Sequence, residues 1–194
     1  MDNKNYHHGN LRLGLIETAI DFIDKEGLSN LSLRKVAALC NVSHAAPYSH
    51  FKNKEELLEA ISDHISNRFT QIFNDILSAN DKDNPITLNK IGEAYFLFFM
   101  ENPQYFSFIF FHGNPKTNLS LNDKKCDSFP AFQIFKDTAS HIFKSAGMSD
   151  EMTENMIIIK WAFIHGFTSI AMMKGVSYDK DWKTKIKELL YYEG

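Results

Sequence analysis

The stretch LSLRKVAALCNVSHAAPYSHFKNK, Leu31–Lys54, decides how the chain is read. Leu33, Val36, Ala37 and Cys40 fall at the three-and-four spacing of one buried helix face, and the Ser32 hydroxyl is placed to cap that helix. Asn41 follows, and asparagine is one of the few non-glycine residues that accept a left-handed backbone, so the chain turns there. Val42 plugs the corner. Ser43 is then placed as the N-cap of a second short helix, His44 to about Phe51. Pro47, at its fourth position, lacks an amide hydrogen and removes the bond to the Ser43 carbonyl, which keeps that helix short. Helix, sharp turn and capped short helix make a helix-turn-helix, whose second helix can enter a DNA major groove. Residues 28–54 contain Arg34, Lys35, Lys52 and Lys54 and no Asp or Glu, whereas the whole chain is net −3. Basic charge is thus concentrated where a phosphate backbone would lie.

Outward from this stretch the periodicity is helical throughout. A first helix over about Asn10 to Glu26 carries Leu15, Ile16, Ala19, Ile20, Phe22 and Ile23 as its apolar stripe, with Asn10 as cap and Gly27 as terminator. It closes a three-helix module with the two helices of the motif, and Phe51 packs beneath it. Asn53 and Glu56 form a capping box that opens a helix to about Ala79, roughly 40 Å long. Its stripe is Leu57, Leu58, Ile61, Ile65, Phe69, Ile72, Phe73 and Ile76. Pro85 opens a helix to about Glu101, and Pro103 opens a short aromatic one, PQYFSFIFFH. Residues 113–127 read as a loop. Ser128 is placed to cap a helix to Ala146, with Phe132, Phe135, Ala139, Ile142 and Phe143 inward and Gly147 ending it. Ser149 starts a helix to about Lys174 that is apolar nearly all round from Met156 to Met173. A helix of that kind must be covered on more than one side. The last, Asp181 to Tyr192, has Trp182, Ile186, Leu189 and Leu190 on one face.

The expected fold is all-α, with about nine helices. Residues 1–52 form a helix-turn-helix DNA-binding domain, and 53–194 a helical regulatory and dimerisation domain. At 194 residues, 44% hydrophobic and 23% charged, the chain can bury a substantial core. It has no uninterrupted apolar run of 18 residues, so no membrane span or membrane partner is expected. The N-terminus is polar, without a signal-peptide core, which points to the cytoplasm. Cys40 and Cys126 have no C-x-x-C spacing: Cys40 reads as a small core residue or a redox sensor, Cys126 as an exposed thiol. His7-His8 has no third metal ligand nearby. No G-x-S-x-G elbow or glycine-rich phosphate loop marks a catalytic centre, so neither enzyme activity nor a cofactor is expected.

The run LSLRKVAALCNVSHAAPYSHFKNKEELL resembles the DNA-binding signature of TetR-family transcriptional regulators. The matching residues are Val42-Ser43, Ala46-Pro47-Tyr48, His50-Phe51 and Lys54-Glu55-Glu56-Leu57, and YHHGNLR at 6–12 resembles the entry to the first helix in one branch. Cys40-Asn41 departs from the small-residue-and-Gly pair usual there, but Asn makes the same turn. Trp161, His165 and Gly166, as W-x-x-x-H-G, resemble the regulatory domain of the branch named for WHG. The resemblance implies phosphate contacts from Ser32, Tyr48, His50, Lys52 and Lys54, a small-molecule pocket, and a homodimer made by the last two long helices. Packing on the first helix remains an alternative for Tyr48, and a solvated charge for Lys52. His44 and Ala45, at the exposed start of the second helix, are the base-contact candidates: His can hydrogen-bond a base edge and Ala can touch a thymine methyl.

Thirteen of the 17 phenylalanines lie at or beyond Phe96. They fill a core, or the helices over 85–174 wrap a pocket for an apolar or aromatic effector. The pocket candidates are Tyr95, Phe99, Phe106, Phe132, Phe135, Trp161 and His165. Trp161 and His165 share a helix face four residues apart, as ligand contacts or as a packed Trp beside a hydrogen-bonded core His. Gly166 in mid-helix implies close approach of another helix. The function expected is a homodimeric repressor released from a near-palindromic DNA operator by that effector. An architectural DNA-binding protein without a ligand, and an enzyme or carrier with a helix-turn-helix scaffold, remain alternatives.

Overall fold

The computed structural model describes residues 10–113, 116–121 and 129–192. Among them lie eight α-helices, two 3-10 turns and no strand. The helices are α1 (Leu11–Glu26), α2 (Leu33–Leu39), α3 (Lys54–Ala79), α4 (Pro85–Glu101), α5 (Pro103–Phe111), α6 (Pro130–Ser145), α7 (Asp150–Met172) and α8 (Trp182–Leu190). The expectations for His7-His8, Cys126 and the Ser128 cap fall outside the described residues. Helix α6 opens on Pro130, whose fixed φ suits a first helical position.

Two compact units divide the chain: Met1–Ile65 with Gln104–Asn114, and Ser66–Pro103 with Pro115–Gly194. In the first, Leu15, Ile16, Ala19, Ile20 and Ile23 of α1 are buried, as are Leu33, Val36 and Ala37 of α2. Phe51 joins this core, and the Arg12 guanidinium lies 5.3 Å from its ring centre. Phe22 is only half-buried, with the Lys35 ammonium 5.6 Å from its ring centre. Buried Tyr105 of α5 donates to both carboxylate oxygens of Glu17 at 2.7 and 2.8 Å, and His64 Nε2 donates to the same carboxylate at 2.8 Å. One acid of α1 thereby gathers α3 and α5.

The turn after α2 is built as Asn41 requires. Its φ is 55°, the Asn41 N–H donates to Ala38 O at 3.1 Å, and the Val42 N–H to Ala37 O at 3.1 Å. This is the Schellman arrangement, which satisfies two carbonyls that a helix end leaves orphaned. Gly147, φ 81°, repeats it after α6, with Met148 N–H on Phe143 O at 3.1 Å.

The next segment departs from expectation. In place of a helix from His44 to Phe51 there is a four-residue 3-10 turn, Ala46–Ser49, and Ser43 makes no side-chain cap. The missing Pro47 N–H explains the change. The Ser43 carbonyl, denied its α-helical donor, accepts instead from Ala46 N–H at 3.0 Å, which tightens the coil.

In the second unit, the ring of Phe69 lies against Phe73, Tyr95, Phe98, Phe99 and Phe129, with centroids 4.5–5.8 Å apart. Helix α7 docks through Thr153, Ile157, Ile164 and Thr168 onto α4 and α6. Helix α8 is tied to α4 by Lys187 and Tyr191, both on the Glu93 carboxylate at 3.2 and 3.0 Å. By length and composition α7 could cross a membrane: an 18-residue window reaches mean hydropathy 1.2, and 17% of it is buried. Lys160, His165, Thr168 and Ser169 break this helix into short apolar runs while its mean hydropathy stays high.

Asn41→Gly should leave the thermal midpoint unchanged or slightly raised, because glycine accepts φ 55° freely. Asn41→Val should lose about 1–2 kcal/mol in denaturant unfolding, the cost of a left-handed backbone.

Candidate nucleic-acid interface and effector cavity

Pro47 is buried and anchors the 3-10 turn, while the residues around it face out. His44, Ala45 and Tyr48 are exposed, Tyr48 by 52%. Lys52, Arg34 and Lys35 are exposed, and Ser32 and His50 are half-buried. Ser32 Oγ accepts from Lys35 N–H at 3.3 Å, so it caps α2 while its own hydrogen stays available to a phosphate oxygen. Asn53 accepts from Glu56 N–H at 2.8 Å, and the Glu56 carboxylate reaches back to the Lys52 N–H at 2.7 Å, one residue beyond the amide expected. Lys54 is placed differently from its fellows. Its ammonium donates to the Leu28 carbonyl at 2.7 Å, fastening the start of α3 to the turn after α1. Two further donors of that ammonium can still meet a phosphate.

The seven effector candidates separate. Tyr95, Phe135 and Trp161 line a cavity of about 30 Å³ in the second unit. Buried Phe99 packs on Tyr95 at 4.9 Å, and buried Phe132 on Trp161 at 4.8 Å, both behind that lining. His165 stacks on Trp161 at 5.7 Å and hydrogen-bonds the Tyr95 hydroxyl through Nδ1 at 2.8 Å. Phe106 is elsewhere, in the first unit, against Phe110 and Phe111. Burial raises the Tyr95 pKa well above its ordinary value and lowers that of His165, so this pair is neutral near pH 7. The W-x-x-x-H spacing therefore delivers a packed Trp and a bonded His around one cavity wall. Of the cavity's other walls, Asn89, Lys160 and Leu190 were not foreseen. Lys160 had left a trace, as the lone charge in an apolar helical run.

Residues 15–61 match the family described as bacterial regulatory proteins, tetR family. An uncharacterised HTH-type transcriptional regulator of Haemophilus influenzae is 27% identical over 143 residues, 70% of this chain and 68% of its own. An HTH-type transcriptional repressor of Mycobacterium tuberculosis is 29% identical over 58 residues, 30% of this chain and 31% of its own. A solved regulatory protein in the tetR family from Rhodococcus RHA1 superposes with TM-score 0.66, covering 92% of each chain at 17% identity. The matched segment is that of the TetR family, and the all-α fold agrees with it. The chain thus resembles TetR-family transcriptional regulators, which bind DNA, and the exposed surface around Tyr48 lies within the matched segment.

Lys52→Ala should weaken binding to all duplexes alike and flatten the salt dependence by about one unit of slope in gel-shift titrations. Lys54→Ala should lower stability as well, since it also frees the Leu28 carbonyl. For His165, whose folded pKa lies below the ordinary 6.5, stability is full above 6.5 and declines as pH falls toward the folded value. The melting-temperature gap between the wild type and His165→Gln should therefore narrow from neutral pH to about 5.5.

Proposed function

We propose that this regulator is a homodimeric, cytoplasmic repressor of the WHG branch, released from a near-palindromic operator by an apolar or aromatic small molecule. The observation that carries the dimer is the outer face of α7. Met152, Met156, Ile159, Phe163, Gly166, Ile170 and Met173 alternate at spacings of four and three, the seam of a paired helix. Met152, Ile159 and Met173 are each more than half exposed. A Cβ built at Gly166 meets nothing within 4 Å, so the close neighbour implied by a mid-helix glycine does not come from the described residues of this chain. A second copy of α7 supplies it. Exposed Leu189 on α8 extends the same kind of surface, and two helices from each chain make a four-helix interface.

Two-fold symmetry then puts two exposed turns on one DNA face. His44 and Ala45 read bases; Ser32, Tyr48, His50, Lys52 and Lys54 hold phosphates. Helix α3 runs unbroken from the first unit into the second, so a ligand that prefers one arrangement of the body alters DNA affinity through that preference alone.

Ile159→Lys should convert the dimer to a helical monomer in sedimentation velocity and cut operator affinity by orders of magnitude. A variant that stays dimeric would remove α7 from the interface. Selection from random duplexes should return two-fold symmetric sites; asymmetric winners would defeat the symmetric repressor.

A further inference from the structure

We infer that the effector is an apolar or aromatic monoanion, a carboxylic acid by preference, with its charged end on Lys160. This rests on the reading that the second unit holds an effector.

The cavity is lined by Leu88, Ile91 and Tyr95 of α4 and by Trp161, Phe163 and Ile164 of α7, with Phe73, Phe135 and Leu190 also in its wall. Such walls favour a hydrocarbon or aromatic body. They give a charge nothing unless a counter-charge lies among them. Lys160 is the one ionised side chain in the lining, and no Asp or Glu shares it. The nearest acid in sequence to the α4 wall, Glu93, is engaged by Lys187 and Tyr191.

Commitment of the polar groups narrows the choice further. The Tyr95 hydroxyl is spent on His165. Among the described residues, neither Lys160 nor Asn89 has a side-chain hydrogen bond or ion pair. An ammonium and a carboxamide thus stand free at one apolar cavity. Together they offer donors to two carboxylate oxygens, and charge-assisted bonds of that kind are the strong ones. A cationic apolar compound would meet repulsion from Lys160 and find no acid to replace its water.

The size of the ligand is governed by Leu190. A Cβ at Gly92 would lie 3.4 Å from the Leu190 side chain, which fills the notch that this glycine leaves. Space of about 30 Å³ accommodates about two waters, so the ligand enters by displacing the tip of α8.

The test is calorimetric titration of the purified full-length protein with phenylacetate and 4-phenylbutyrate, and with the matching amides and amines. The acids should bind at least about tenfold more tightly than the amides, and the amines least. In Lys160→Met, with unchanged helicity and melting temperature, the acid-over-amide preference should collapse to within about twofold. Leu190→Ala should tighten the acids several-fold while keeping the preference. Equal binding of acid and amide, a preference that survives Lys160→Met, indifference to Leu190→Ala, or no saturable binding by either acid would each overturn the inference. Gel shifts run in parallel separate this from the wider reading. An acid held by Lys160 that leaves DNA binding untouched keeps the ligand class and sinks induced release. A neutral or cationic compound that releases DNA does the reverse.

Discussion

One backbone conformation, the φ of 55° at Asn41, sets up the segment that matches the tetR-family model. It ends α2 with both orphan carbonyls satisfied and turns the chain so that Val42 closes the corner. The chain then has ten residues, 44–53, before α3 begins at Lys54. Pro47 is buried inside that span and forces a 3-10 geometry, whose longer rise per residue suits a short exposed loop better than a full helix. The result is a rigid proline-anchored turn with His44, Ala45 and Tyr48 outside and Phe51 inside. Lys54, hooked on Leu28, fixes where α3 departs.

The second unit answers a different physical problem. A chain this rich in aromatic rings packs them edge-to-face and stacked around Phe69, and the same rings leave few polar atoms to satisfy. One bonded polar pair stands out among the rings. Tyr95 and His165 satisfy each other, and both lie beside Trp161. A bonded pair of that kind is tolerated in an apolar wall because both partners are neutral there. An uncommitted pair, Asn89 and Lys160, is tolerated only where solvent or a ligand can reach it.

The helices were legible from the sequence because their signals are local. The limits of α3, α4 and α5 follow from caps and prolines that act within four residues, and Asn41 announced its own turn. The second helix of the motif departs from the sequence expectation for an equally local reason: Pro47 predicts a shortened helix, whereas in the structure the segment becomes a 3-10 turn. The cavity was harder. Tyr95, Phe135 and Trp161 are aromatic residues among many, and nothing in their spacing separates lining from core. Phe106 looked the same in sequence, yet α5 is where the chain passes into the first unit, a pairing between distant segments that periodicity does not encode. Leu190 reaches the cavity only through the packing of α8 on α4, again a long-range contact.

The small cavity bears on how a ligand acts. On the proposed release by a small molecule, free space of about 30 Å³ holds nothing larger than about two waters until Leu190 and its neighbours move, which would make the binding-competent state a minor one. If that state were populated at about 1%, the apparent affinity would be weaker than the intrinsic by about a hundredfold. The same gap is what gives the ligand leverage. A protein already open would be filled without any shift in its equilibrium, whereas one that opens only when filled hands the whole preference to whatever else distinguishes the two states. On that proposal, tight packing of the body and a response to an effector would be two consequences of the same aromatic core.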